Sequence, residues 1–140
     1  MSTQTLQLYD TKSRNKRVFE AIDDKHIKMY VCGPTVYNRV HIGNARPAVV
    51  FDVLYRVLQS LYPKVSYARN ITDVDDKIIK AAKESDQPIN AITENFTQAY
   101  AEDMAELLNL APTIQPHATE HIGQMVAMIE RLIANGYAYE

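Results

Sequence analysis

Four consecutive residues, His41-Ile42-Gly43-Asn44, have the chemistry to bind a phosphate group at the start of a predicted helix. A helix N-terminus presents unpaired N–H groups and a partial positive charge, which favour an anion. Gly43 would let a nucleotide approach the backbone closely, and His41 and Asn44 could both donate hydrogen bonds toward it. Because nucleotidyl transfer depends mainly on positioning and charge stabilisation, such donors suffice without a general base. The alternative is an ordinary helix start with a histidine and a capping asparagine, since four residues are a short motif.

The single cysteine, Cys32, precedes the turn-forming dipeptide Gly33-Pro34 at the end of a predicted strand. With one cysteine no internal disulfide can form, and a reducing cytoplasm is the simpler setting. A thiolate here could bind a metal, but zinc needs three or four ligands. The spacing of His26, His117 and His121 does not point to Cys32. Two interpretations remain: a small buried hydrophobic residue, or one ligand of a metal site completed from elsewhere.

Residues 69–77 form a second unusual segment, in which the carboxylates of Asp73, Asp75 and Asp76 follow Thr72. Such a cluster could bind a divalent metal or a substrate ammonium group. Aspartate is also stabilising in the first turn of a helix, so a capped helix start is the alternative. In the helix that would start there, lysines recur at every third position, namely Lys77, Lys80 and Lys83. This spacing favours a solvated face over an RNA contact.

Two predicted strands and an intervening helix must position these segments. β-favouring runs at residues 28–32 and 65–69 flank a predicted helix at residues 44–61, whose first turn tolerates Pro47. Apolar residues recur along the helix at three- and four-residue spacing, which predicts one shared apolar face. That face consists of Val50, Leu54, Val57, Leu58 and Leu61.

The strand–helix–strand order places the chain in the α/β class, as a parallel βαβ unit followed by two longer helices. Ligands of such sheets bind outside the C-terminal ends of the strands. The sequence therefore predicts that residues 32–44 and 70–76 meet at one edge of the sheet.

The flanking elements are predicted from local patterns. Short strands are expected at residues 5–9 and 16–19, joined by a polar turn. A further helix is predicted to begin at Thr72, which lies three residues before Asp75 in a variant of the capping-box pattern, and to end near residue 83.

Two longer helices are predicted at residues 89–110 and 118–134, the second ending at Asn135-Gly136. Each carries an apolar face that is most simply part of the core. The first face consists of Ile92, Phe96, Tyr100, Met104, Leu107 and Leu108. The second consists of Ile122, Met125, Val126, Ile129 and Ile133.

The composition limits the partners of the chain. Its 140 residues, of which 46% are apolar, suit one compact domain or a piece of a larger one. A net charge of −2 gives no bulk attraction to nucleic acid or to an anionic membrane. No apolar run approaches the roughly 18 residues of a membrane span, and residues 1–10 lack the apolar core of a secretory signal.

Several long segments resemble the cysteinyl-tRNA synthetases, a family of class I aminoacyl-tRNA synthetases. Residues 29–58 are similar to the first signature block of that family and residues 67–82 to the second. Residues 116–122 and 134–139 also resemble it, so the likeness extends over the chain from about Leu6.

The resemblance implies an N-terminal part of a Rossmann-like, nucleotide-binding catalytic domain over residues 1–140, with residues 1–25 as an extension carrying short strands. It implies activation of L-cysteine with ATP and Mg²⁺, and transfer of the cysteine to tRNA(Cys) in the cytoplasm. It also implies a monomer that does not bind membranes.

The phosphate-binding segment matches the His-Ile-Gly-His signature of class I synthetases, which implies catalytic roles for His41 and Asn44 and ATP contacts by Ile42, Gly43 and Thr35. Asn44 stands where the family usually has histidine. Asparagine can still donate a hydrogen bond, but it cannot become cationic.

Cys32 matches the first zinc ligand of the family, and the resemblance implies one zinc ion per full-length chain. Zinc would take the substrate thiol as a thiolate, which a serine hydroxyl replaces poorly. The other ligands, a cysteine, a histidine and a glutamate, are expected beyond residue 140. The resemblance further implies that Gly33, Thr35, Tyr37 and Thr72 lie at the bound amino acid. The chain alone is expected to bind ATP and zinc weakly and not to aminoacylate.

Three other functions compete with this interpretation. The cysteine ligase of mycothiol synthesis resembles the same family, although residues 75–80 look more like the synthetases. A short paralogue could serve as a binding or regulatory module without catalysis. A small nucleotidyltransferase would explain His41 and Asn44 but would leave Cys32 and residues 70–76 unexplained.

Overall fold

A computed structural model describes residues 5–139 of the chain. Residues 1–4 and 140, which belong to the predicted domain range and N-terminal extension, lie outside this description. No helix of the described part is long and apolar enough to cross a membrane. The elements are strands β1 (Gln7–Asp10), β2 (Asn15–Val18), β3 (Ile27–Val31) and β4 (Val65–Arg69), helices α1 (Ile42–Leu61), α2 (Asp76–Ser85), α3 (Ile89–Glu106) and α4 (Ile122–Ala134), and the short 3-10 helix Ala118–His121.

The first two strands form an antiparallel hairpin in which Gln7 lies opposite Val18. The Asp10 carboxylate accepts hydrogen bonds from the backbone N–H groups of Lys12 and Ser13, both at 3.1 Å, which fixes the turn. The two predicted short strands are therefore confirmed, with ends shifted by one or two residues.

Strand β3 precedes α1 in the chain and β4 follows it. The two strands pair in parallel, with Ile27 opposite Val65 and Val31 opposite Arg69. This confirms the predicted βαβ unit. β3 ends one residue earlier than predicted, so Cys32 lies just outside the strand.

The buried face of α1 differs from the predicted one. Ala48, Asp52, Tyr55 and Leu58 are buried. Of the five residues in the predicted face only Leu58 is among them, and three of the others are substantially exposed: Val50 at 55%, Val57 at 37% and Leu61 at 54%. The prediction was wrong because α1 has apolar residues around much of its circumference. Periodicity alone then does not select the side that packs against the sheet.

A third stretch of backbone, residues 113–117, lies parallel to β4 and was not predicted as an element. The N–H of Arg69 donates to the carbonyl of Ile114 at 3.0 Å, and the N–H of Ile71 donates to that of Pro116 at 2.9 Å. Proline has no N–H but keeps its carbonyl acceptor. The stretch can therefore extend the sheet although its composition is that of a loop.

Helix α2 begins later than predicted, at Asp76 instead of Thr72. Asp75 is its N-cap, and the Asp75 carboxylate accepts the N–H of Lys77 at 2.8 Å. Thr72 instead forms a parallel bridge with Thr35. Residues 73–75, which follow Thr72, are not helical, and Asp75 supplies the cap instead, so the capping-box prediction was wrong.

Helix α3 ends at Glu106, four residues before the predicted end. Leu107 and Leu108 were predicted to be core but are 50% and 79% exposed. Leu108 adopts a left-handed backbone with φ of 60°, which ends the helix.

The last helix begins with a single 3-10 turn before α4. The residues of α4 that were predicted to be core are exposed, with exposed fractions between 38% and 49%: Ile122, Met125, Val126, Ile129 and Ile133. The C-terminal stop is confirmed, since Gly136 has a φ of 74°.

The core lies between the parallel strands and helices α1 to α3. One cluster joins the strand exits to α1 and α3 through Val36, Ala48, Ile71, Tyr100 and Met104. A second lies between the parallel strands and α1 and contains Val31, Tyr55 and Tyr67. A third joins α2 to α3 through Ile78, Ala82 and Ile92.

Candidate functional site

The segments that follow β3 and β4 are joined by hydrogen bonds at the C-terminal edge of the strands. The N–H of Gly33 donates to Oδ1 of Asn70 at 2.9 Å. The N–H of Thr72 donates to the carbonyl of Pro34 at 3.0 Å, and the N–H of Val36 donates to that of Thr72 at 3.2 Å. This confirms the predicted meeting of residues 32–44 and 70–76.

A cavity of about 710 Å³ opens at this edge. Most of the predicted site residues line it: Cys32, Gly33, Thr35, Tyr37, His41, Gly43 and Asn44. Two predicted residues are not brought to its wall. Ile42 is 88% exposed, and the hydroxyl of Thr72 accepts a hydrogen bond from the side chain of Asn70 at 3.1 Å.

His41 is the N-cap of α1, and its ring is oriented by the backbone. Nδ1 accepts the N–H of Gly43 at 3.0 Å, so in the neutral ring the proton is on Nε2. A Cβ at position 43 would lie 2.7 Å from Cε1 of this ring. Glycine is therefore required for the ring to cap the helix in this way.

The first turn of α1 has fewer free donors than a bare helix start. The N–H groups of Asn44 and Ala45 both donate to the carbonyl of His41, at 2.9 and 3.0 Å, and the ring takes that of Gly43. The groups left for a ligand are the N–H of Ile42, the Nε2–H of His41 and the side-chain amide of Asn44. Phosphate binding here would depend more on side chains than the general case of a helix N-terminus suggests.

Cys32 is exposed at the mouth of the cavity. Within residues 5–139, no group of three or more His, Cys, Asp or Glu side chains is arranged to hold a metal ion. A zinc site needs three or four ligands. The described residues therefore offer one thiolate for a zinc ion, not a complete site.

Gly33 has a packing role that is independent of any ligand. A Cβ at this position would overlap the backbone carbonyl of Asn70. The two strand exits approach each other so closely that only glycine fits.

Arg69, at the end of β4, is a cavity-lining residue that sequence reasoning missed. It is 2% exposed and donates to the hydroxyl of Tyr100 at 2.9 Å, the carbonyl of Ala48 at 3.3 Å and the hydroxyl of Tyr67. Burial raises the pKa of Tyr67, which the nearby Arg69 charge partly opposes. The available signal was an arginine at the C-terminal end of a predicted parallel strand, where ligands of such sheets bind.

Lys77 is a second cavity-lining residue. It is also exposed, as the predicted solvated face requires. Its Nζ lies 5.6 Å from the centroid of the Tyr37 ring, within the range of a cation–π contact. Lys80, one helical turn on, fits the prediction, since its side chain is 75% exposed and lies 3.7 Å from Glu84.

The predicted carboxylate cluster is divided between separate structural roles. Asp73 accepts hydrogen bonds from the hydroxyl and N–H of Thr119, at 2.6 and 3.0 Å, and lies 3.2 Å from Nδ1 of His117. Burial acts to raise the pKa of Asp73, but these hydrogen bonds outweigh it and lower the pKa below 3.8. Asp75 caps α2, so the helix-start interpretation holds for this residue.

Comparison with known proteins supplies independent information. The family described as tRNA synthetases class I (C) catalytic domain matches residues 18–140. A cysteine–tRNA ligase of Saccharophagus degradans is 62% identical over 136 residues, which cover 97% of this chain and 30% of the relative. One from Paramagnetospirillum magneticum is 63% identical over 134 residues, covering 96% and 29%. One from Rhodospirillum rubrum is 60% identical over 136 residues, covering 97% and 30%. The chain thus spans about 30% of the length of these curated relatives.

Proposed function

The chain belongs to the family of class I (C) tRNA synthetase catalytic domains, and we propose that it is part of an enzyme that charges tRNA(Cys) with L-cysteine. In this proposal residues 1–140 are the N-terminal portion of the catalytic domain, and the parallel strand pair is the beginning of a Rossmann-like sheet. The observation that carries it is the cavity at the strand exits, lined by Cys32, His41 and Asn44. The names of the relatives support the choice of cysteine and its tRNA.

ATP, with Mg²⁺, would bind against the N-terminus of α1. His41 would donate from Nε2, the nitrogen left free by its contact with Gly43, and Asn44 would donate from its side-chain amide. Both groups would stabilise charge on the phosphates as the carboxylate of cysteine attacks the α-phosphorus of ATP, forming the adenylate, while the bond to the β-phosphate breaks and pyrophosphate leaves. Thr35, Gly43 and the backbone of Ile42 complete the proposed ATP site.

L-cysteine would lie beside the exits of β3 and β4, near Gly33, Thr35, Tyr37 and Thr72. Cys32 would be one ligand of a zinc ion, whose chemistry when bound would be to select a thiolate over a hydroxyl. The other ligands would come from outside these residues, since the described part of the chain does not complete the site. The chain alone should therefore bind ATP and zinc weakly and should not aminoacylate.

A chimera tests this function directly. The matched 30% of the Rhodospirillum rubrum relative would be replaced by this chain, and cysteine-dependent ATP–pyrophosphate exchange would be measured. We expect activity, and a loss of about 10²- to 10³-fold with His41→Ala, the scale for removing one donor to a transition-state oxyanion. His121→Ala is the matched control, because His121 is exposed and does not line the cavity. A folded chimera without exchange activity, or one equally active with His41→Ala, would contradict the proposal.

The same assignment sets the expected cellular context. We propose that the enzyme is cytoplasmic, because a reducing compartment keeps the thiolate ligand free of disulfides. We also propose that it is a monomer.

A further inference from the structure

The cavity at the strand exits has a positive charge balance that the net charge of −2 for the whole chain does not suggest. Two basic side chains, Arg69 and Lys77, line it, and no aspartate or glutamate is among the residues of its wall. Charges that face a partly enclosed space are screened less than charges on an open surface. This balance favours an anionic ligand.

Arg69 is the only buried basic side chain among residues 5–139. Arg17, Arg39 and Arg56 each lie within 3.6 Å of an aspartate and are far more exposed. No described ion pair involves Arg69, which donates only to neutral oxygens, and its Nε has no partner in the described chain.

A buried guanidinium without a counter-charge is unfavourable. Because Arg69 lines the cavity, a bound anion is the partner that would compensate its charge.

Lys77 is held at the same cavity by an aromatic ring instead of a carboxylate. Its Nζ lies 5.6 Å from the centroid of Tyr37, and no ion pair of the described residues involves it. Lys80, on the same helix, pairs with Glu84 at 3.7 Å. The lysine at the cavity is therefore free to bind a ligand, whereas the one outside it is paired.

We propose that Arg69 and Lys77 form an anion subsite that binds phosphate oxygens, separate from the donors at the N-terminus of α1. The identity of the ligand as ATP, or as the pyrophosphate released from it, rests on the proposed function. Arg69 would supply fixed charge through its buried guanidinium, and Lys77 would contact the phosphate directly.

Binding of inorganic pyrophosphate to the 140-residue chain, measured by equilibrium dialysis at low salt, tests the subsite. Lys77→Met should weaken binding about three- to tenfold, an effect that added salt reduces. Lys77→Arg should retain most of the affinity, because it keeps the charge. Lys80→Met is the matched control and should change nothing. Lys77 and Lys80 are both exposed, so these variants should fold, and circular dichroism would verify this.

The outcomes separate the subsite from the proposed function. Absence of pyrophosphate binding, or equal binding by Lys77→Met and Lys80→Met, would overturn the subsite. The subsite would also be overturned if Lys77→Met weakened the binding of L-cysteine but not of pyrophosphate. That result would assign Lys77 to the carboxylate of the amino acid. If pyrophosphate binding depends on Lys77 but the chain does not bind ATP, the subsite stands and the proposed function fails. If ATP binding depends on His41 and not on Lys77, the proposed function stands and the subsite fails.

Discussion

Gly33 illustrates how a single residue in a functional loop can be required by packing. The resemblance assigns it to the bound amino acid, but its position against the carbonyl of Asn70 already excludes any side chain. Its N–H also donates to Oδ1 of Asn70. A substitution here would therefore affect stability before any effect on a substrate could be measured.

We expect Gly33→Ala to lower the free energy of unfolding by about 1–3 kcal/mol, the scale of forcing extra atoms into a packed site. Gly123→Ala is the matched control, since no atom lies within 4 Å of a Cβ added there. Alanine in that helix should be neutral or stabilising by up to about 1 kcal/mol. Denaturant unfolding of the two variants measures the difference, and equal effects would contradict the packing argument.

At the scale of elements, Asp73 joins the exit of β4 to the chain that runs toward α4. It accepts two hydrogen bonds from Thr119 and lies beside His117. These contacts lower its pKa against the opposing effect of burial. The carboxylate is therefore stabilised in the folded state, and this stabilisation is present above the ordinary pKa of 3.8 and lost as the pH falls below it.

Asp73→Asn should lower the free energy of unfolding by about 1–2 kcal/mol at neutral pH, because a charged acceptor is replaced by a neutral one. The difference from the unaltered chain should begin to shrink as the pH falls through 3.8 and should vanish below the lowered pKa of the folded state, where Asp73 is protonated in both states. Urea unfolding at a series of pH values measures it. Asp24→Asn, at an exposed position, serves as the control. A difference that does not vary with pH would show that the carboxylate charge is not the cause.

At the scale of the whole molecule, the core excludes the last helix. Ile78 is fully buried among residues of α2 and α3, whereas Ile129 of α4 is 49% exposed. Two isoleucines of similar helical setting thus differ in their surroundings, which makes them a matched pair.

Ile78→Ala should lower the free energy of unfolding by about 2–5 kcal/mol, the range for removing a buried aliphatic side chain. Ile129→Ala should change it by no more than about 0.5 kcal/mol. The comparison again uses denaturant unfolding. A large loss for Ile129→Ala would mean that α4 packs against the core in solution.

The sequence by itself determined the parallel βαβ unit and the meeting of residues 32–44 with 70–76. β-favouring runs, helical spacing and turn residues are local, and the order of elements restricts the topology. It also identified residues that line the cavity, because Cys32, His41 and Asn44 lie where such sheets bind ligands.

Only the tertiary structure decided which apolar faces are buried and which basic groups face the cavity. Val50 of α1 and Ile129 of α4 have core-like spacing but are exposed, because spacing marks an apolar face without specifying what covers it. Residues 113–117 became part of the sheet through hydrogen bonds to β4, which are non-local. Arg69 and Lys77 came to line the same cavity as Tyr37 and His41 for the same reason: side chains distant in sequence are brought together only by packing.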